Sequence, residues 1–306
     1  MRKTRSPRMT RRPFSLESQE RRLGIILVLP IVVLMAGFIA YPFAYNFWLA
    51  FNSKHLLSPS MNFIGLRNFS VLVGKSEFWL SLKNQIIWAS ATVSLQLVLG
   101  IGTALLLNME FRGRSLARTL ILIPYVTSPV VVALVWKWML NDVNGIINYS
   151  LMITGIIKSP ITWLGLERWA MPTIILIAAW EWFPFVTICV LARLQTIPQQ
   201  IYEAARVDGS SSWQSFLHIT LPQLSSVLFI TILLRGIWMF NKFDIIWLLT
   251  GGGPVRATQT LPILSYFQIF HSFKIGLGAA TNTFMFLFMT GVAIIYFKVY
   301  KVSEEV

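Results

Sequence analysis

Six long apolar runs, separated by short polar breaks, constrain the fold of this chain more than any other feature of its sequence. They cover approximately residues 23–51, 84–109, 119–140, 170–193, 224–249 and 276–298. A helix needs roughly 20 apolar residues to cross the hydrocarbon core of a bilayer. Because lipid offers no partner to unpaired backbone groups, such a run must form a helix or join a closed barrel, and the alternation typical of barrel strands is missing. The pattern predicts an all-α, polytopic membrane protein with six transmembrane helices.

Composition and charge agree with this class and indicate an orientation. Of the 306 residues, 55% are hydrophobic and 12% are charged, against about 25% charged in a soluble domain. Eight of the 26 Lys and Arg residues lie in the first 22 positions, so the net charge of +14 does not indicate nucleic-acid binding. By the positive-inside rule, this basic tail and the RGRSLAR cluster at 112–118 predict cytoplasmic N- and C-termini. The other loop cations, seven on the inner side and eight on the outer side, do not decide the orientation of the chain.

The chain is best described as one domain. We expect a basic cytoplasmic tail over 1–22 that contacts lipid headgroups, a six-span domain over 23–300, and a short cytoplasmic tail over 301–306. Prolines within the first and fourth runs, at positions 30, 42, 172 and 184, predict kinks. A single cysteine, Cys189, excludes an internal disulfide.

A polar segment between the fourth and fifth runs carries its own helix signals. It reads EAARVDGSSSWQSFLHITLP over 203–222. Pro198 suits the first turn of a helix, and Asp208-Gly209 would end that helix, because glycine tolerates the left-handed conformation after a helix terminus. Serines 210–212 can cap a second helix that runs toward His218, and Pro222 would stop it. The sequence predicts a helix-turn-helix hairpin over 198–222.

The spacing within this hairpin resembles the EAA signature of binding-protein-dependent ABC importer permeases. The matching positions are Glu203, Ala204, Ala205, Asp208, Gly209, Ile219, Leu221 and Pro222. The resemblance implies the type I ABC importer permease fold, with the hairpin acting as a coupling helix held in a cleft of an ATPase subunit. Ala204 and Ala205 would let a partner approach the helix backbone closely, and Glu203 adds a charge beside them.

A second stretch narrows the resemblance. FNKFDIIWLLTGGGP, over 240–254, is similar to the carbohydrate-uptake branch of these permeases, the maltose, lactose and glycerol-phosphate type. That branch implies an ABC ATPase dimer, a second and non-identical permease, an extracytoplasmic solute-binding protein and a carbohydrate substrate, in the cell inner (plasma) membrane. The chain has no Walker sequence, so ATP and Mg²⁺ would bind to the partner ATPases, and this chain would bind no cofactor or metal.

Polar groups within the fourth and fifth runs are candidates for a substrate site, because buried charges are costly in a membrane. Counted from the hairpin, the sugar-lining positions of maltose-type permeases fall on residues of these two runs, and Asn241 lies beside them. The candidate substrate residues are Ala178, Glu181, Trp182, Phe185, Arg235, Trp238, Met239 and Asn241. Aromatic faces with a few polar groups suit a sugar.

Glu181 and Arg235 depart from the maltose permease pattern, which has small or neutral residues there. The two side chains could pair with each other across the helices, which we favour, or Arg235 could contact an anionic sugar or glycerol phosphate. Lys242 and Asp244, nearer the outer end, could reach interfacial water.

Two other function classes fit less well. An ion-coupled secondary carrier would need buried carboxylates as ion sites, and it would leave the hairpin unexplained. A membrane-embedded enzyme would need a catalytic cluster, but the three histidines are scattered and neither HExxH nor GxSxG is present. We therefore expect a transport subunit without catalytic residues.

Overall fold

The structure is a computed structural model that describes residues 15–304, with side-chain surroundings described for 21–299. It confirms the all-α class, with one small exception: β1 (Asn52–Lys54) pairs antiparallel with β2 (Met61–Phe63) in a hairpin that the sequence did not predict. The α-helices, in chain order, are α1 Ser15–Met35, α2 Tyr41–Ala50, α3 Arg67–Val73, α4 Ser76–Asn108, α5 Arg114–Leu120, α6 Ile123–Val126, α7 Pro129–Met139, α8 Ile146–Ile153, α9 Glu167–Leu194, α10 Gln199–Val207, α11 Ser212–Ser215, α12 Leu221–Phe240, α13 Asp244–Thr250, α14 Leu261–Tyr266 and α15 Ile275–Glu304. Three π-helical turns cover Ala36–Ala40, Phe216–Thr220 and Phe267–His271.

Among the described residues, five helical segments are long and apolar enough to cross a membrane, and a bent pair supplies a sixth candidate. Much of the predicted basic tail, residues 1–14, lies outside the described residues, while its remainder begins α1. The predicted C-terminal tail continues α15 as far as Glu304, and residues 305–306 lie outside the described residues.

The first span keeps its helical path past Pro42 through a π turn. The Tyr41 N–H bonds to the Ala36 carbonyl, five residues back, directly before the proline that cannot donate. Along this span the described residues as far as Tyr45 are exposed, and burial begins only near its end, where Leu49 and Ala50 pack on α15. The first span therefore adds little to the core of this chain.

The third predicted span is not one helix. The segment Arg114–Val126 and helix α7 meet at 93°. Thr127 is extended, with ψ 138°, and Pro129 follows at the start of α7. A residue next before proline avoids the helical region, and Ser128 has ψ 134°, so the chain turns here. The prediction of one continuous helix over 119–140 was therefore wrong.

The fifth predicted span is also interrupted. α12 ends at Phe240, and α13 begins at Asp244 after a short non-helical break. α13 ends at Thr250, and Gly251 and Gly252 follow it in a turn with φ +59° and +89°. The loop 251–260 folds onto the start of α4, where Asn84 Nδ2 donates to the carbonyls of Arg256 and Gln259 at 3.0 and 3.1 Å.

The core lies between α4 and α9, which pack together along their lengths. Gly100 of α4 allows the close approach, since a Cβ there would lie 2.5 Å from the Val186 Cβ. Close packing at small residues is a common way to hold membrane helices together. The Thr103 and Thr187 hydroxyls share a hydrogen bond of 2.7 Å across the same interface. At the end of α4, the Arg114 Nε donates to the Leu107 carbonyl at 2.8 Å and so caps the helix.

Candidate coupling hairpin and intramembrane site

The first half of the hairpin has the predicted geometry. Pro198 precedes α10 in an extended conformation, and Gly209 follows it with φ +80°. The Ser210 N–H bonds to the Ala205 carbonyl at 2.9 Å, and the Gly209 N–H bonds to the Arg206 carbonyl at 3.1 Å. These two bonds form a Schellman motif, which ends the helix at a left-handed glycine.

The second half begins as predicted but does not stop at Pro222. Ser211 accepts a bond from the Gln214 N–H, and the Gln214 side chain accepts one from the Ser211 N–H, which makes a capping box. Beyond α11 a π turn leads into α12, in which Pro222 occupies the first turn. The predicted helix end was therefore wrong, because a π turn directly before Pro222 carries the helix past a residue that cannot donate. The second arm of the hairpin is continuous with the fifth span.

The signature residues form an accessible surface on α10 and the turn. Glu203, Ala204, Asp208 and Gly209 are exposed, Ala205, Ile219 and Leu221 are half-buried, and Pro222 is exposed. Val207 and Trp213, on either side of the turn, are 88% and 67% exposed. A cleft of about 990 Å³ separates the hairpin from the second half of α4. Within this chain, the tip of the hairpin is free to contact another protein.

The hairpin is tied to the base of α12. The Tyr202 hydroxyl of α10 and the Thr220 hydroxyl of the π turn share a hydrogen bond of 3.0 Å. Arg193, in the last turn of α9, donates to the Gln223 carbonyl at 2.9 Å and to its side-chain oxygen at 3.1 Å. A force applied to the hairpin would therefore reach both α9 and α12.

Most of the predicted substrate residues gather around one buried guanidinium. The Arg235 Cζ lies 5.9 Å from the Trp182 ring centroid, 5.7 Å from that of Phe185 and 5.4 Å from that of Trp238. Its Nε donates to Gln96 Oε1 at 2.7 Å, and its terminal nitrogen lies 3.9 Å from Met239 Sδ. Arg235 is 2% exposed and Gln96 is fully buried. The aromatic faces and the amide together stabilise the buried cation.

Glu181 and Arg235 do not pair in this structure. Among the described residues, the ion pairs within 4.0 Å are Lys242–Asp244 at 3.1 Å and Arg256–Glu77 at 3.6 Å. Glu181 is 1% exposed, and neither of its carboxylate oxygens has a hydrogen-bond partner within the described part of the chain. The favoured pairing was therefore wrong for this conformation, in which the Arg235 Nε donates to Gln96.

That Lys242 and Asp244 reach interfacial water stays a prediction, and their side chains are 22% and 44% exposed. The Lys242 Nζ lies 4.3 Å from the Trp182 ring centroid as well as 3.1 Å from Asp244. It therefore belongs to the same group of side chains as Arg235.

Two predicted substrate residues lie apart from the guanidinium contacts. Ala178 is fully buried in the hydrophobic core, and Asn241 lines a separate groove between α2, α12 and α15. Conversely, sequence reasoning missed Gln96 of α4 and Trp88, whose Nε1 donates to the Met239 carbonyl at 2.9 Å. The sequence did contain a signal for Gln96, because a polar amide within an apolar run is a candidate for a functional role.

The fold and these two sites define a helical membrane transport subunit with a protruding hairpin at one end and a polar cluster among its spans. The chain belongs to the family of binding-protein-dependent transport system inner membrane components, whose model matches residues 96–302. It is thus a permease subunit of ABC transporters.

Known proteins agree with this assignment. The chain is 36% identical to the trehalose/maltose transport system permease protein MalF of Thermococcus litoralis, over 95% of this chain and 97% of that protein. Its fold matches the crystal structure of a bacterial ABC transporter involved in the import of the acidic polysaccharide alginate, with a TM-score of 0.82 and 21% identity over 93% and 97% of the two chains. It also matches a structure of the bacterial alginate transporter in complex with a periplasmic protein that binds an alginate pentasaccharide, with a TM-score of 0.80 and 21% identity over 92% and 94%.

Proposed function

We propose that this chain is the membrane-spanning permease subunit of an ATP-driven importer that moves a carbohydrate into the cytoplasm. The observation that carries the proposal is the exposed hairpin 198–222, which connects α9 to α12, the two helices that bear the Arg235 cluster and whose ends near the hairpin are joined by the Arg193–Gln223 hydrogen bond. The carbohydrate is supported by the 36% identical relative named for trehalose and maltose. Sugar recognition by aromatic faces and a few polar groups agrees with Trp182, Phe185 and Trp238 around the cluster.

The proposed importer would also contain ATPase subunits, a second permease and a solute-binding protein. We assign ATP and Mg²⁺ binding to a dimer of ABC ATPases that holds the hairpin, and substrate delivery to an extracytoplasmic solute-binding protein. A second, non-identical permease would complete the pathway. The complex would lie in the inner membrane with both termini of this chain in the cytoplasm, because Lys and Arg are enriched in cytoplasmic loops and the basic tail and the 112–118 cluster are rich in them. This chain itself would catalyse no reaction.

Co-purification of the tagged chain from its native membrane tests this proposal. We expect an ATPase and a second permease to purify with it, and we expect ATP hydrolysis to rise when a carbohydrate and its binding protein are added. If the chain purifies alone and carries solute in liposomes without ATP, the proposal is wrong and an ion-coupled carrier is the better account.

A further inference from the structure

Glu181 is the charged group of the intramembrane cluster that has no hydrogen-bond donor within the described part of this chain. Lys242 and Asp244 neutralise each other at 3.1 Å, and Arg235 has Gln96 and three aromatic rings around it. Glu181 is 1% exposed, and within residues 21–299 no donor reaches either of its oxygens. Buried polar groups in proteins are nearly always hydrogen-bonded, and charged groups within membrane spans are rare.

The surroundings of Glu181 specify what could satisfy it. An ionised carboxylate is an acceptor only, so its partner must bring hydrogen-bond donors. Trp182, the next residue, has a broad aromatic face in the same cluster. A saccharide ring has both features, because pairs of hydroxyls donate hydrogen bonds and its C–H face stacks on an aromatic ring.

Charge balance decides between a neutral and an anionic saccharide. The cluster contains two cations, Arg235 and Lys242, and two carboxylates, Glu181 and Asp244, so these four side chains sum to zero when ionised. An incoming carboxylate or phosphate would give this group of side chains a net negative charge, close to Glu181, in surroundings of low dielectric constant. A neutral saccharide adds donors without adding charge.

We propose that Glu181 is a specificity-determining residue, which accepts hydrogen bonds from the hydroxyls of a neutral saccharide and excludes saccharides that carry a carboxylate or phosphate. This inference rests on the proposed function and adds the charge class of the substrate. In this inference Arg235, which donates to Gln96, balances the charge of the cluster and does not contact an anionic sugar.

The test compares Glu181→Gln with a matched change on the same helix, Glu167→Gln, where the side chain is exposed in the first turn of α9. Each variant is purified as the complete complex without binding protein, and the quenching of tryptophan fluorescence is titrated with trehalose, maltose and glucuronate. We expect wild type and Glu167→Gln to bind a neutral sugar and not glucuronate. Glu181→Gln should bind the neutral sugar about tenfold more weakly, because a hydrogen bond to a charged group is lost, and should gain measurable binding of glucuronate.

A second variant guards against a folding defect. Glu181→Asp keeps the charge, so it should assemble and still exclude glucuronate even if Glu181→Gln fails to assemble. Unchanged affinity for the neutral sugar in Glu181→Gln, or exclusion lost in Glu181→Asp, overturns the inference. If the wild-type complex binds glucuronate and no neutral sugar, the inference fails while carbohydrate import stands. If the wild type binds none of these sugars, the inference also fails, whereas the proposed function is tested separately by the co-purification of an ATPase and a second permease.

Discussion

Arg235 illustrates what it takes to keep a guanidinium inside a membrane protein. Its Nε is satisfied by Gln96 at 2.7 Å, and the Gln96 Nε2 lies 3.6 Å from Met239 Sδ, so one amide from α4 connects two residues of α12. The aromatic rings of α9 and α12 surround the remaining cation. Since a buried charge without partners costs several kcal/mol, Gln96 acts as a positioning residue for Arg235.

Replacement of Gln96 by leucine should destabilise the chain. The change leaves the Arg235 Nε without its acceptor, at a cost of roughly 1.5–3 kcal/mol for a hydrogen bond to a charged group. We expect a lower thermal unfolding midpoint for the purified complex, whereas Ser90→Ala on the exposed face of α4 should have little effect. Equal midpoints for the two variants would show that Gln96 does not hold Arg235.

The hairpin is an element whose geometry depends on one backbone conformation. Gly209 has φ +80°, yet a Cβ built there would meet nothing within 4 Å. A substitution at this position is therefore resisted by backbone strain, of roughly 1–2 kcal/mol for an L-residue, and not by crowding. Asparagine tolerates this conformation better than valine does.

We predict that Gly209→Val reduces the stimulation of ATP hydrolysis by loaded binding protein, because the turn can no longer keep α10 and α11 in register. Gly209→Asn should retain more of it. Gly291→Val is the matched control, because Gly291 lies within α15 with open space beside it and no left-handed φ. Stimulation that is the same in Gly209→Val and in the control would remove the hairpin from the coupling path.

Local signals in the sequence identified the hairpin, but they could not locate every helix end. Gly209, Ser211 and Gln214 act within a few residues, so their caps could be predicted. The effect of Pro222 depends on whether the preceding turn can widen into a π turn, which Phe216–Thr220 does. Likewise, composition alone indicated a continuous third span, while the extended Thr127 and Ser128 before Pro129 bend it by 93°.

At the scale of the whole molecule, the cluster and the hairpin are connected by the same helices. α9 and α12 carry the aromatic rings and Arg235 among the spans, and their hairpin ends are joined by Arg193 and Gln223. Gln96 could not be placed from the sequence, because its role depends on the packing of α4 against α12, which is a long-range contact. The same limit explains why Asn241, close to Met239 in sequence, lies in a different groove.

The most direct test of ATP-driven import is uptake of a labelled carbohydrate into proteoliposomes that contain the complete complex and its binding protein. ATP-driven import predicts accumulation against a concentration gradient only when ATP and Mg²⁺ reach the ATPase side, with uptake and hydrolysis falling together in Gly209→Val. Accumulation that follows a proton or sodium gradient, and persists without ATP, would contradict it.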